Sequence, residues 1–242
     1  MSRSKKSRTR RRGAAEKGSK LRACAFRRET ALFIFARAPV AGGVKKRLAR
    51  KIGDIAAAMW YRCSLAKTLR TVRGSRIPFR VSTPPETRTI AGASLQPPGN
   101  LGRKMGGVAK RCGGPCIIVG SDIPGLSATI LRAAARMAHR FDLVIGPACD
   151  GGYYLIGVRS PAHVFRLYDN VRWSGEFALA DTLANAPKHW RIGYLPVLSD
   201  VDLAQDLRAS AQPPASALVS TISSSGPRRR AAASNGLSAV PW

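Results

Sequence analysis

The sequence predicts an α/β domain in which a mostly parallel central sheet is flanked by helices. Three observations point there. First, Ala31-Leu32-Phe33-Ile34-Phe35-Ala36 and Cys116-Ile117-Ile118-Val119-Gly120 are short continuous apolar runs, the second rich in β-branched residues. That is the composition of strands buried on both faces of a parallel sheet. Second, stretches with helical periodicity follow the runs. Third, acid-bearing turns directly follow two buried runs, at Asp122 and at Asp150. Open α/β sheets place their ligand chemistry just past the carboxyl ends of their strands.

The chain has 242 residues, enough for one sizeable α/β domain with tails. Its boundaries are expected near residues 30–209. A basic tail precedes them (1–29, with Lys5, Lys6, Arg8, Arg10, Arg11 and Arg12), and an Ala/Ser/Pro-rich tail follows (210–242). Both have the composition of disordered segments. The formal net charge is +28, and the excess of arginine continues through the folded part (Arg132, Arg136, Arg140). This is a general bias rather than one dedicated groove. No recognisable nucleic-acid module is present, and basic and aromatic residues do not interleave regularly, so no specific nucleic-acid partner is expected. No apolar run approaches the roughly 20 residues of a membrane helix, so no membrane span is expected. The five cysteines are scattered. An odd count without a secretory signal fits a reducing cytoplasm.

Each element has a local reason. Ala31 to Arg37 reads as the first strand, and Gly42-Gly43 followed by Lys45, Lys46 and Arg47 makes a plausible phosphate cradle. Glycines let the backbone approach an anion that the cations neutralise. The P-loop spacing is absent, and a glycine pair also serves as a plain turn. Asp54 is placed as the N-cap of a helix reaching about Arg70, whose apolar face is drawn by Ile55, Met59, Ala66 and Leu69. Trp60 and Tyr61 read as core or edge residues. Ile77, Phe79 and Val81 alternate as in a strand, with Pro78 pointing to an edge or a bulge. A loop from 86 to 100 precedes a short helix holding Met105 and Val108. A helix from Ser127 to about Arg140 carries the stripe Ile130, Ala134, Met137 and Phe141, with His139 at the surface. Strands follow at 142–146, 153–157 and 191–197, and helices near 162–168 and 176–186.

The strongest chemical signal is Gly120-Ser121-Asp122-Ile123-Pro124-Gly125. A hard carboxylate at that place suits Mg²⁺ or Mn²⁺ held against phosphates. Asp122 also reads simply as a turn residue. The second signal is Asp150-Gly151-Gly152-Tyr153-Tyr154, where an acid and two glycines suit a flat ligand or a sugar ring, or else only a tight turn. The third is Asp200-Val201-Asp202, whose alternating carboxylates suit a divalent cation, with Asp202 also fit to cap the next helix.

Together these stretches resemble one family. Ala36-Arg37-Ala38-Pro39 through Lys45-Lys46-Arg47-Leu48 looks like its phosphate-binding opening, and Gly99-Asn100-Leu101-Gly102-Arg103-Lys104-Met105 like its Gly-Asp-Leu-Gly-x-x-Met loop. Gly120 to Leu126, Gly146 to Gly157, and Asp200-Val201-Asp202 with Asp206-Leu207 match its remaining motifs. The family is the glycosyltransferase-like transferases encoded beside radical-SAM and selenium-domain proteins. It is similar in fold to the guanylyltransferases of molybdenum-cofactor and phospholactate metabolism. The resemblance covers roughly residues 31–209. It implies a single GT-A-like, nucleotidyltransferase-like (Rossmann-like) domain that binds a nucleotide or nucleotide sugar with Mg²⁺ or Mn²⁺, and a small acceptor.

Under that resemblance Arg37, Lys45 and Arg47 carry phosphate contacts. Asp122 is the principal metal ligand and Asp202 a second. Asp150, Gly151 and Gly152 face the sugar or acceptor, with Asp150 the candidate base. Lys46 stands where the family has a small hydroxyl residue. Asn100 replaces an Asp, keeping its shape but not its charge. Two reactions fit these residues: glycosyl transfer from a nucleotide-diphosphate sugar, and nucleotidyl transfer from a nucleoside triphosphate with release of pyrophosphate. In both, cations stabilise a pyrophosphate-bearing species.

Overall fold

The structure, a computed structural model, describes residues 29–87, 90–161 and 164–199. All of them fall within one contact unit, Met1–Gln212. The first strand, β1 (Ala31–Phe35), leads through a glycine turn into a short helix α1 (Lys46–Ile52) and a long helix α2 (Asp54–Ser75). Strands β2 (Phe79–Thr83) and β3 (Ser94–Leu95) follow, then α3 (Leu101–Cys112), β4 (Cys116–Gly120) and α4 (Ala128–Met137). The chain continues as β5 (Leu143–Pro147), β6 (Tyr153–Val158), a 3₁₀ turn (Val164–Tyr168), α5 (Ala178–Ala184) and β7 (Ile192–Tyr194).

The strands form one seven-stranded sheet in the order β3-β2-β1-β4-β6-β5-β7. β6 runs antiparallel to both β4 and β5, and the other pairings are parallel. The α/β expectation, with a mostly parallel sheet flanked by helices, holds. The apolar runs at β1 and β4 are central because they are buried on both faces, as their composition requires. Ile117 and Val119 of β4 join Leu32 and Ile34 in a core with Tyr61, Leu65 and Val72 of α2 and Leu131 and Ala134 of α4. Cys116 and Ile118 join a second core with Met105, Val108 and Ala109 of α3 and with Val164 and Leu167 of the 3₁₀ turn. Alternation along one strand thus feeds both faces. α3 comes close to the 3₁₀ turn through glycines. A Cβ on Gly102 would stand 2.5 Å from Tyr168 Cβ, and one on Gly106 would stand 2.6 Å from the Phe165 ring.

Several local expectations are corrected. Asp54 is the first residue of α2, not its cap. Gly53 occupies the cap position, with φ 86°, and no side chain caps the helix. Most of the expected apolar face of α2 is turned outward, with Ile55 72% and Met59 61% exposed and Ala66 exposed, whereas Leu69 is half-buried against the core. The buried stripe is Ala57, Ala58, Tyr61, Leu65, Thr68, Val72 and Ser75. This stripe has the same helical period but carries three hydroxyls. Those hydroxyls are spent on Ser121 Oγ, Ser121 O and Val72 O, so burying them costs little. Pro78 lies just before β2, where its missing N–H costs no ladder bond. The last strand is shorter than expected, Ile192–Tyr194. Asp202, with the rest of the closing motif, lies outside the described residues.

β1, β2 and β3 step to one side of the sheet, and β4 returns to the other side of β1. The crevice between the carboxyl ends of β1 and β4 is therefore a topological switch point, where such sheets bind ligands. In register, Phe35 pairs with Gly120, so the segments starting at Ala36 and Ser121 leave the sheet side by side.

Candidate functional site

An open cleft of about 820 Å³ lies at this switch point. Arg37, Lys45, Arg47, Asp122 and Asp150 all line it. Arg37, Lys45, Asp122 and Asp150 come from three separate loops, after β1, β4 and β5, and Arg47 from the first turn of α1, so the fold gathers residues up to 113 positions apart in sequence. The volume is within the range of small-molecule and cofactor sites.

Lys45 and Asp122 form the centre. Lys45 Nζ is 2.6 Å from Asp122 Oδ2, and the lysine side chain is only 7% exposed. The same ammonium stands 5.6 Å over the ring of Trp60. Lys45 takes φ 46°, a left-handed conformation that costs a non-glycine residue about 1–2 kcal/mol. Backbone strain of this kind clusters at ligand sites. Here it turns the lysine inward at the point where α1 begins.

A hydroxyl pair lies beneath that ion pair. The backbone N–H of Arg37 donates to Tyr61 Oη at 3.0 Å, and Tyr61 Oη lies 2.7 Å from Ser121 Oγ. Thr68 Oγ1 donates to Ser121 O at 3.0 Å. α2 thereby ties the exit of β1 to the exit of β4. Burial raises the Tyr61 phenol above its ordinary range, partly offset by the Ser121 hydrogen bond.

The β2 side of the cleft is closed by Pro84, Gln96, Asn100 and Lys104. Asn100 caps α3 by accepting from Arg103 N at 2.9 Å, so it keeps the capping function that an Asp would serve. Lys104 is buried and ion-paired with Glu86, whose carboxyl it holds below its ordinary range. Gln96 is fixed by donating Nε2 to Ser82 O at 2.8 Å.

The opposite wall is Tyr153 with Trp173, Ser174 and Gly175. Asp150 Oδ1 accepts from Gly152 N at 2.9 Å, which holds the carboxylate at the cleft rim. Gly151 and Gly152 are not among the lining residues. Gly151 is the backing of that wall: it takes φ 81°, and a Cβ there would stand 2.2 Å from Glu176 O. Its carbonyl accepts from Leu179 N at 3.0 Å, joining the Asp150 turn to α5.

Sequence reasoning did not single out Tyr61, Ser121, Lys104 or Trp173 as site residues. Ser121 and Lys104 lie inside motifs already quoted, next to the residues chosen. Tyr61 carried only a core signal.

Among the described residues no three His, Cys, Asp or Glu side chains group as metal ligands. Asp122 and Asp150 do line the same cleft. One or two carboxylates fit Mg²⁺ or Mn²⁺ when phosphates and water complete the shell.

The profile of the DUF2064 family, described as an uncharacterized protein conserved in bacteria, matches residues 46–175, more than half of the chain. The chain belongs to the DUF2064 family. No curated protein matches this family member. A crystal structure from Desulfovibrio desulfuricans G20, provisionally assigned as a nucleotide-diphospho-sugar transferase, is 26% identical with a TM-score of 0.69. The match covers 74% of this chain and 85% of that one. Rv0371C of Mycobacterium tuberculosis H37Rv, solved with manganese, is 14% identical with a TM-score of 0.46, over 75% and 97% of the two chains. The 4-diphosphocytidyl-2C-methyl-D-erythritol synthase of Anaerococcus prevotii DSM 20548 is 8% identical with a TM-score of 0.47, over 75% and 96%. These last two are distant likenesses. The DUF2064 chain thus has the GT-A-like, nucleotidyltransferase-like α/β fold. Among its described residues no helix is long and apolar enough to cross a membrane.

Proposed function

We propose that this protein is a metal-dependent transferase that binds a nucleotide-diphosphate sugar and passes the glycosyl group to a small acceptor. The observation that carries this reading is the convergence of Arg37, Lys45 and Arg47 with Asp122 and Asp150 in one switch-point cleft. The motif resemblance to the transferases encoded beside radical-SAM proteins supports it. So does the likeness to the Desulfovibrio protein. The working unit is residues 30–209.

In this reading the diphosphate lies along the Lys45 side of the cleft, where Lys45, Arg47 and Arg37 neutralise it. Asp122 would hold Mg²⁺ or Mn²⁺ with the phosphate oxygens, and Asp202 would be the second ligand. The bound cation supplies charge compensation for the departing diphosphate. The acceptor hydroxyl attacks the anomeric carbon as the bond from that carbon to the phosphate oxygen breaks, and its proton passes to the Asp150 carboxylate. Gly152 N–H orients that carboxylate, and Gly151 seats its turn.

A thermal-shift panel tests the reading. Nucleotide sugars, nucleoside diphosphates and nucleoside triphosphates are crossed with Mg²⁺ or Mn²⁺, with Asp122→Ala alongside. A ligand at 100 times its dissociation constant stabilises by about 2.7 kcal/mol. Metal-dependent stabilisation by a nucleotide sugar, lost in Asp122→Ala, is expected. Stabilisation by triphosphates alone would shift the reading to nucleotidyl transfer, and no response to any nucleotide would remove both.

A further inference from the structure

The hydrogen atoms around Tyr61 do not balance within the protein. Arg37 N–H, Tyr61 O–H and Ser121 O–H are three donors, yet they make only two contacts, Arg37 N to Tyr61 Oη and Tyr61 Oη to Ser121 Oγ. Each contact uses one hydrogen. One hydroxyl hydrogen is therefore left over, and no described residue accepts it. A backbone N–H can only donate, so the Tyr61 oxygen is already an acceptor. In the second contact either hydroxyl can be the donor, the Tyr61 oxygen accepting a second time when Ser121 donates. The unspent hydrogen is that of Ser121 when Tyr61 donates, and that of Tyr61 when Ser121 donates. Ser121 is 5% and Tyr61 4% exposed, and both line the cleft beside Asp122.

We infer that Ser121 is a ligand-binding residue whose hydroxyl donates to an anionic phosphoryl oxygen in the cleft. Tyr61 is its positioning residue, setting the direction of the chain Arg37 N–H to Tyr61 O–H to Ser121 O–H to ligand. The site takes a diphosphate-bearing ligand, and the inference rests on the phosphate reading proposed above. Ser121 adjoins Asp122 in the chain, and Lys45, 2.6 Å from Asp122, makes this corner cationic and suited to an anionic oxygen. A hydrogen bond from a buried hydroxyl to a charged oxygen is among the stronger polar contacts, so the ligand oxygen is a fitting acceptor for this group.

The test measures the dissociation constant of inorganic pyrophosphate with Mg²⁺ by titration calorimetry, on the full chain. Ser121→Ala and Tyr61→Phe each remove one oxygen atom, and melting temperature checks the fold. Ser121→Cys, close in volume with a far weaker donor, is the second variant if Ser121→Ala does not fold. Ser121→Ala is expected to weaken binding about tenfold or more, as befits a hydrogen bond to a charged acceptor. Ser121→Cys should lose at least about fivefold and Tyr61→Phe about threefold to fivefold. Adding Tyr61→Phe to Ser121→Ala should cost no further affinity, since the tyrosine acts through the serine. A folded Ser121→Ala or Ser121→Cys that binds within twofold of the native chain would overturn the inference. So would multiplicative losses in the double variant. Failure of the native chain to bind pyrophosphate or any nucleotide would instead remove the phosphate reading beneath it.

Discussion

Lys45 Nζ lies 2.6 Å from Asp122 Oδ2, joining the loop after β1 to the loop after β4 across the mouth of the switch point. The lysine side chain is 7% exposed and the carboxylate 25%, so solvent screens this pair less than a surface pair. Removing Asp122 alone takes the opposite charge from beside a buried ammonium. Asp122→Ala is expected to lose about 1–3 kcal/mol of stability. Lys45→Met fills the same space without charge and should lose less, because Asp122 can hydrate. Urea unfolding of both variants and their double gives the coupling, expected at about 1–2 kcal/mol. Additive effects would mean the two groups do not stabilise each other.

A second ion pair holds the opposite wall. Arg172 Nε and Nη2 donate to Asp181 Oδ2 and Oδ1 at 2.9 and 2.8 Å, and Arg172 N donates to Oδ2 at 3.0 Å. These bonds hold the Asp181 carboxyl down at about 2, below its ordinary value of 3.8. A depressed carboxylate stabilises the fold above its unfolded value and loses that contribution as pH falls through the folded one. The pair should therefore support the Trp173 wall at neutral pH and release it between about pH 4 and pH 2. Carbon-detected NMR titration of the Asp181 carboxyl should give a midpoint near 2. In Asp181→Asn, the stability loss over that interval should be shallower than in the native chain.

The strand runs and the acid-bearing turns were legible because they depend on local facts: buried strands must be apolar, and a strand must end where a carboxylate can meet solvent. Arg37, Lys45, Arg47, Asp122 and Asp150 meet in one cleft as the motifs implied. Tyr61 was legible as a core residue, but its contact with the cleft was not, because that depends on Ser121, 60 residues away. The face of α2 was misread for a related reason. The helix carries two overlapping apolar stripes, and two hydroxyls on the buried one, Tyr61 and Thr68, find their partner in the distant Ser121. Gly151 reads as a ligand-facing residue until Glu176, 25 positions later, is seen to fill the space above it.

That outward stripe gives a direct comparison. Ile55 and Met59 are 72% and 61% exposed, whereas Leu65 is 6% exposed in the core. Ile55→Lys or Met59→Lys should change stability by no more than about 0.5 kcal/mol, as surface positions do. Leu65→Ala should cost about 2–5 kcal/mol from lost burial and the cavity left behind. Chemical denaturation of the three variants checks the assignment. A large loss at Ile55 and a small one at Leu65 would place the other stripe in the core.

Gly151 and Gly113 both take left-handed backbone, with φ 81° and 71°, yet they differ in what surrounds them. Gly113 closes α3, and a Cβ there meets nothing within 4 Å. At Gly151 a Cβ would lie 2.2 Å from Glu176 O and 2.6 Å from Glu176 Cα, both backbone atoms that cannot swing aside. Gly113→Ala should therefore cost only the conformational term, about 1 kcal/mol. Gly151→Ala adds a backbone collision and should cost about 3 kcal/mol or more. The strain has a functional side, because relief requires the Asp150 turn to part from the start of α5, where Leu179 N donates to Gly151 O. A Gly151→Ala chain that still folds should lose affinity for nucleotide sugars, while Gly113→Ala should bind as the native chain does. Melting curves with and without ligand read both effects in one experiment. Equal stability losses in the two variants would show that the close approach to Glu176 is not what requires a glycine at position 151.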